Sequence, residues 1–288
     1  MNTDQKKPRL ILLGGFLGSG KTTLMVELGK RLAERGRTVG VITNDQGELL
    51  VDTAFAASAG LAAGEVQNGC FCCNFSTFVS NIDRIVREAS PDYLIAEPVG
   101  SCTDLVATVV TPLSLYHQGL VELAAYLVLV DAPRLVGEYA ELNLSQPITP
   151  REVLVSHQIA EANRLVLSKT DAVSDADVET ARRALQALNE DAEILPCSAR
   201  TGEGLDEILS DVESGRPVIV PAAVDIDYEV YASAEAEMGW YNGRADLVAV
   251  GEAFDPEAIA FDLAMQIGEE LGAALIHGKI LVTTETGS

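Results

Sequence analysis

The chain is poor in basic residues. Lys and Arg number 20 against 43 Asp and Glu, a formal net charge of −23 over 288 residues. Polyanion binding needs clustered cations, so this balance excludes a general nucleic-acid binder and docking on anionic lipid. The acidity is concentrated late: Asp225 to Glu270 holds many carboxylates and one base, Arg244, the pattern of a solvated face. Long hydrophobic runs are also missing. The apolar run from Leu10 stops at Gly14-Gly15, and Leu123 to Val130 is strand-length and ends at Asp131. No membrane span and no signal peptide are expected. Aromatic residues make up only 5%, with one Trp. The 3 histidines, His117, His157 and His277, are expected to be structural or solvent-facing. The 5 cysteines do not form the framework of a secreted domain, and reduced thiols in a cytoplasmic protein are expected.

What is present is apolar and alternating. Hydrophobic residues reach 48%, enough for one large domain, or one large and one small. Strands are expected at Leu10–Leu13, Val39–Thr43, Tyr93–Glu97, Tyr126–Val130, Leu165–Leu167 and Ile194–Leu195. Helices are expected at Thr23–Arg35, Phe75–Ala89, Gln158–Ala162, Asp175–Leu188 and Leu205–Leu209, with Ser174 as an N-cap and Gly36 ending the first. This order predicts an α/β fold, a mainly parallel sheet covered by helices on both faces. The character changes near Gly215-Arg216-Pro217 and at Pro221. We therefore expect a large domain over 1–220 and a small α+β unit over 221–288. Its expected elements are strands at Tyr228–Tyr231, Ala245–Val250 and Leu275–Val282 with a helix at Pro256–Leu271.

The chemistry begins at Gly15-Phe16-Leu17-Gly18-Ser19-Gly20-Lys21-Thr22, which fits the P-loop pattern G-x-x-x-x-G-K-[ST] between a strand and a helix. Such a turn aims backbone N–H groups and a helix N-terminus at an anion. Gly15, Gly18, Ser19, Gly20, Lys21, Thr22 and Thr23 are thus expected to bind a nucleoside triphosphate. Lys21 would reach the β- and γ-phosphates, and Thr22 would ligate Mg²⁺. Farther on, Ser168-Lys169-Thr170-Asp171 follows a strand in the manner of the guanine-reading N-K-x-D. Asp171 would accept from the base and the Lys169 stem would cover its ring. Ser168 stands where Asn is usual and lacks the amide that ties neighbouring loops. Ser198-Ala199 resembles the loop that contacts guanine O6. These features favour GTP over ATP.

A second constellation is Cys70-Phe71-Cys72-Cys73. C-x-C-C brings three thiols within one short turn, a donor set for Zn²⁺, Co²⁺, Ni²⁺ or Cu⁺ with an open position. Cys102 and Cys197 are expected to be structural.

Together, Gly14 to Thr23, Gly69 to Cys73 and Gln158 to Asp171 resemble the CobW-like family of SIMIBI-class P-loop GTPases. The resemblance covers residues 9–215. It implies a GTPase tied to cobalamin and metal-centre maturation, with GTP/GDP, Mg²⁺ and a transition metal (Zn²⁺ or Co²⁺) as cofactors. Asn44-Asp45-Gln46-Gly47-Glu48 matches the family's first switch. It implies Asp45 as a magnesium-side carboxylate and Glu48 as an accessory metal ligand beside Cys70, Cys72 and Cys73. Glu97 matches the Walker B acid, holding the magnesium shell or orienting water, and Gly100 the second-switch glycine. Lys21, Glu97 and Gly100 form the implied catalytic set, although Pro98-Val99 replaces the commoner T-[ST]. The resemblance further implies a nucleotide-dependent homodimer and a client metalloenzyme or corrinoid protein; unlike the members that carry His-rich tracts, this sequence has only His117, His157 and His277. Two other functions stay open: a GTP-dependent conformational chaperone of a corrinoid protein or methyltransferase that carries no metal, and a small-molecule kinase.

Overall fold

The computed structural model describes residues 7–45, 62–67, 70–141, 144–147, 149–216, 218, 223–224, 227–239, 241, 243–249 and 254–282. Among these, the first strand β1 (Arg9–Gly15) leads into helix α1 (Lys21–Glu34), followed by β2 (Val39–Asp45) and β3 (Ala62–Gln67). Helix α2 (Phe75–Ala89), strand β4 (Tyr93–Glu97), the short helix α3 (Thr111–Tyr116) and the long strand β5 (Glu122–Asp131) come next. Then follow α4 (Ala132–Val136), α5 (Pro150–Ala160), β6 (Arg164–Ser168), α6 (Asp175–Leu188), β7 (Glu193–Pro196) and α7 (Leu205–Glu213), with α8 (Tyr228–Ala236) and α9 (Pro256–Leu271) at the end.

The strands form one 7-stranded sheet in the order β3-β2-β4-β1-β5-β6-β7, and every pairing is parallel. A parallel sheet needs cover on both faces, which is why β1, β4 and β6 are near-continuous apolar runs. Two cores result, one per face. Ile11, Leu13, Val41 and Ile95 pack with Leu24, Leu28 and Leu32 of α1 and Ile208 and Leu209 of α7. Leu10, Leu12, Leu94 and Leu165 pack with Phe78 and Ile82 of α2 and Leu154 and Val155 of α5. All strands deliver their C-terminal ends to one edge, where an open α/β sheet binds its ligand.

Several elements differ from expectation. β3 was not foreseen, since Ala62-Ala63-Gly64-Glu65-Val66-Gln67 carries only one β-branched residue, and its pairing with β2 decides its state. The helix expected at Gln158–Ala162 begins earlier, at Pro150, because Thr149 and Glu152 form a reciprocal capping box there. Ser174 with Asp177 caps α6 in the same way, as expected. The strand expected at Tyr228–Tyr231 is instead the start of α8. Asp227 caps the backbone N–H groups of Glu229 (2.9 Å) and Val230 (3.2 Å), and an Ala-rich stretch continues the helix. Residues 245–249 and 275–282 form no strand, so 223–282 holds helices but no strand among the described residues.

Candidate functional site

The loop between β1 and α1 has the backbone a phosphate cradle needs. Gly15, Gly18 and Gly20 have φ of 125°, 77° and 98°, a region that favours glycine. A Cβ on Gly15 would lie 2.5 Å from the Leu129 carbonyl oxygen of β5, so the close approach also demands it. Lys21 is buried and folds back on the loop. Its Nζ donates to the carbonyls of Gly15 (2.8 Å) and Phe16 (3.3 Å). Thr22 Oγ1 donates to Glu97 Oε1 (2.9 Å) and accepts from Lys279 Nζ (3.0 Å). The Thr22 hydroxyl, the Glu97 carboxylate and a cation thus already meet at one point, an arrangement that fits a Mg²⁺ held by Thr22 and Glu97. Asp45 ends β2, but its side chain, like all of Glu48, lies outside what is described.

Gly100 follows β4 and presses on the loop itself. A Cβ there would stand 2.7 Å from the Leu17 nitrogen and 2.9 Å from Leu17 Cα, so no other residue fits without displacing the loop. Gln158 of α5, to which the sequence assigned no role, holds this segment from below. Its buried Nε2 donates to the carbonyls of Gly100 (3.0 Å) and Cys102 (2.9 Å). Arg134 was missed as well. It donates to the Leu17 carbonyl (2.6 Å) and the Ile276 carbonyl (2.7 Å), fastening residues near the C-terminal end over the loop. A lone Arg or Gln in a helix carries no sequence signal for such a task.

The residues expected to recognise the base converge at the ends of β6 and β7. Ser168 Oγ donates to the Ser19 carbonyl (2.7 Å) and the Val130 carbonyl (3.2 Å). The tie expected to be lost with Asn is therefore made by the hydroxyl. Lys169, in a left-handed conformation (φ 58°), pairs with buried Asp131 at 2.5 Å. Asp171 accepts from Ser198 Oγ (2.6 Å) and pairs with Arg200. The Ser198 hydrogen bond first, and Arg200 second, lower its pKa, so it stays an anion able to accept from a base. Thr23 begins the exposed side of α1, and Ala199 lies beside Ser198.

The thiols are arranged differently from the sequence pattern. Cys70, Cys72 and Cys102 form the close group, with their sulfurs within 4.8 Å of one another. Cys70 follows β3 and Cys102 follows β4, the two strands that flank β2, and the Cys102 Sγ lies 3.6 Å from that of Cys72. Cys70 and Cys102 are paired as a disulfide across 32 positions, contrary to the expectation of reduced thiols throughout but compatible with a structural Cys102. Cys73 is exposed, 3.8 Å from Cys72. Phe71 between them is buried and stacks on Phe78 of α2 at 4.4 Å, which anchors the loop. Burial, with the neighbouring Cys73, pushes the Cys72 thiol up to about 12. Such a thiol stays protonated until a cation replaces the proton. Cys197 is buried, as expected of a structural residue.

A parallel sheet with a glycine loop and Lys-Thr at the head of α1 defines a P-loop nucleotide-binding protein. The family model described as "CobW/HypB/UreG, nucleotide-binding domain" matches residues 9–196, well over half of the chain. The chain belongs to that family. It is 30% identical over 219 residues to the urease accessory protein UreG of Haloquadratum walsbyi, a match covering 70% of this chain and 92% of UreG. It is 28% identical over 195 residues to the zinc chaperone YeiR of Escherichia coli, covering 65% of this chain and 54% of YeiR. The match to the E. coli zinc chaperone YjiA covers 50% of that protein, so the chain spans about half the length of these two. Among solved structures, HypB from Helicobacter pylori in complex with nickel is similar with a TM-score of 0.52. That similarity has 18% identity and covers 73% of this chain and 90% of HypB; it speaks for the fold.

Proposed function

We propose that this chain is a GTP-binding, slowly GTP-hydrolysing metallochaperone or metalloenzyme activator, whose nucleotide state sets the occupancy of its thiol group by a transition metal. The observation that carries this reading is the short connection from nucleotide loop to thiols. Glu97 bonds Thr22, Gly100 abuts Leu17, and Cys102 follows two residues later on a carbonyl held by the same Gln158. The kinship with proteins named zinc chaperones and urease accessory proteins supports the metal side of the reading.

In the proposed cycle Lys21 leaves the Gly15 and Phe16 carbonyls for the β- and γ-phosphates, and Thr22, Glu97 and Asp45 would hold a Mg²⁺ that would neutralise phosphate charge. Asp171 and Lys169 recognise guanine, with Ser198 and Ala199 along its O6 edge. Gly100 reports the γ-phosphate because its backbone already touches the loop, and hydrolysis lets it move. In the reduced protein, where Cys70 and Cys102 are free thiols, any shift of Gly100 moves Cys102 relative to Cys70 and Cys72, which binds or frees the metal. Soft thiolates suit Zn²⁺ first and Co²⁺ next. Cys73 and Glu48 remain proposed ligands. A client metalloenzyme or corrinoid protein would receive the ion in the cytoplasm, and a nucleotide-dependent homodimer would complete the switch. In the proposed division, residues 221–288 form the smaller unit.

The Cys70–Cys102 pairing specifically favours a second reading, a conformational chaperone whose thiols are structural. Zn²⁺ stoichiometry of the reduced protein with a non-hydrolysable GTP analogue decides between them. The metallochaperone reading expects about one equivalent lost on Cys72→Ser. Unchanged stoichiometry in that variant rejects it.

A further inference from the structure

A second group of ligand-type side chains lies outside the nucleotide and thiol sites. Asp104, His157 and Glu161 are all buried, and one donor atom from each lies within 4.8 Å of the others. Asp104 comes from the segment after β4 and holds a left-handed backbone (φ 57°). His157 comes from the last turn of α5, and Glu161 lies one residue beyond that helix.

The hydrogen bonds leave this group incomplete. Tyr228 donates to Asp104 Oδ2, Tyr126 to Glu161 Oε1 (2.8 Å), and the Val106 N–H to Glu161 Oε2 (3.2 Å). Each carboxylate keeps acceptor capacity, because an ionised carboxylate offers about four lone-pair sites. Among the described residues, neither carboxylate has an ion-pair partner. His157 is 8% exposed, and its Nε2 is buried with no hydrogen-bond partner among the described residues. Two carboxylates taken out of water beside each other need a compensating positive charge. A divalent ion supplies that charge and leaves the site neutral with a neutral imidazole. Donors about 2.1 Å from an ion lie at most about 4.2 Å apart, so a small contraction from the present spacing suffices.

We propose that Asp104, His157 and Glu161 form a second metal site, a carboxylate–imidazole–carboxylate set for a divalent first-row transition ion such as Co²⁺ or Zn²⁺. It is distinct from the thiol site in donor chemistry: oxygen and nitrogen ligands suit borderline ions, and no sulfur takes part. Its ligands lie on the two segments that Gln158 joins, so an occupied site clamps the Gly100–Asp104 segment to α5.

Co²⁺ titration of the reduced full-length chain tests this separately from the thiol site, because thiolate–Co²⁺ charge-transfer absorption marks sulfur ligation alone. In the double variant Cys72→Ser/Cys73→Ser the charge-transfer absorption should fall while about one equivalent of Co²⁺ still binds with weak visible bands. His157→Ala, with Cys72 and Cys73 intact, should lose that equivalent and keep the charge-transfer absorption. Should His157→Ala fold poorly, the double variant in wild-type His157 context still decides. Absence of Co²⁺ binding in the double variant, or unchanged stoichiometry in folded His157→Ala, overturns the second site and leaves the thiol reading standing. Loss of charge transfer in the wild-type chain would instead reject the thiol reading alone.

Discussion

The nucleotide loop and the thiol group lie at the same edge of the sheet but are built in opposite ways. Gly15 to Thr22 is one contiguous stretch, and its geometry follows from local rules: positive φ at three glycines, a strand before and a helix after. The thiol group is assembled from two segments 32 positions apart, and only the sheet order brings them together. A site made by one turn can be read from its letters. A site made by topology can be read only in part.

The expected effects rank accordingly. Lys21→Ala removes the one cation the loop carries, and we expect GTP hydrolysis to fall by about 10²–10³-fold, measured as phosphate release. An effect below about tenfold would mean the loop is not the hydrolytic site. Asp171→Asn exchanges a paired acceptor for an amide, and binding of a fluorescent GTP analogue should weaken by about 100-fold, the cost of charged hydrogen bonds lost to the base. ATP binding in the same variant should change little, which separates base recognition from misfolding.

Cys102→Ser sharpens the comparison, because sequence spacing alone would make it neutral. We expect Zn²⁺ affinity to drop by at least about tenfold in competition with a chromophoric chelator, with nucleotide affinity unchanged. Equal affinity would return the site to Cys70, Cys72 and Cys73. Gln158→Leu leaves the buried carbonyls of Gly100 and Cys102 without their donor, and stability should fall by about 1–3 kcal/mol in urea unfolding. An unchanged midpoint would remove Gln158 from the coupling. Lys279→Ala should have the smallest effect, a severalfold gain in Mg²⁺–nucleotide affinity once the ammonium leaves Thr22 Oγ1. No gain would show that Lys279 yields its place freely.

The same division explains what was legible in the sequence. Six of the strands, the P-loop and the order Ser168 to Asp171 then Ser198 follow from apolar runs and short motifs. β3 did not, because an edge strand of Ala, Gly and Glu is recruited by its neighbour rather than by propensity. Tyr228 to Tyr231 reads as a strand because it is aromatic and β-branched, but the Asp227 cap with the following alanines outweighs that and α8 forms. Ser168 looked like a lost tie, yet its hydroxyl reaches the Ser19 carbonyl because β1, β5 and β6 are adjacent. Cys102, Gln158 and Arg134 act through partners far away in sequence, and nothing within their own segments announces them.

The last helix shows where such inference stops. α9 buries none of its residues among those described, and Phe261, Met265 and Leu271 are exposed. By contrast α8 is tied to the core by Ser101 Oγ donating to Glu235 (2.9 Å) and by Tyr228 bonding Asp104. The Gly100–Asp104 segment is thus hydrogen-bonded directly to α8.

The central claim is that nucleotide and thiol site are coupled through Gly100 and Cys102. The direct measurement is Zn²⁺ affinity of the reduced chain with Mg²⁺ and either a non-hydrolysable GTP analogue or GDP. Coupling predicts a difference of about 5–150-fold between the two nucleotide states, and the reciprocal difference in nucleotide affinity with and without Zn²⁺. Equal Zn²⁺ affinity in both states would contradict it.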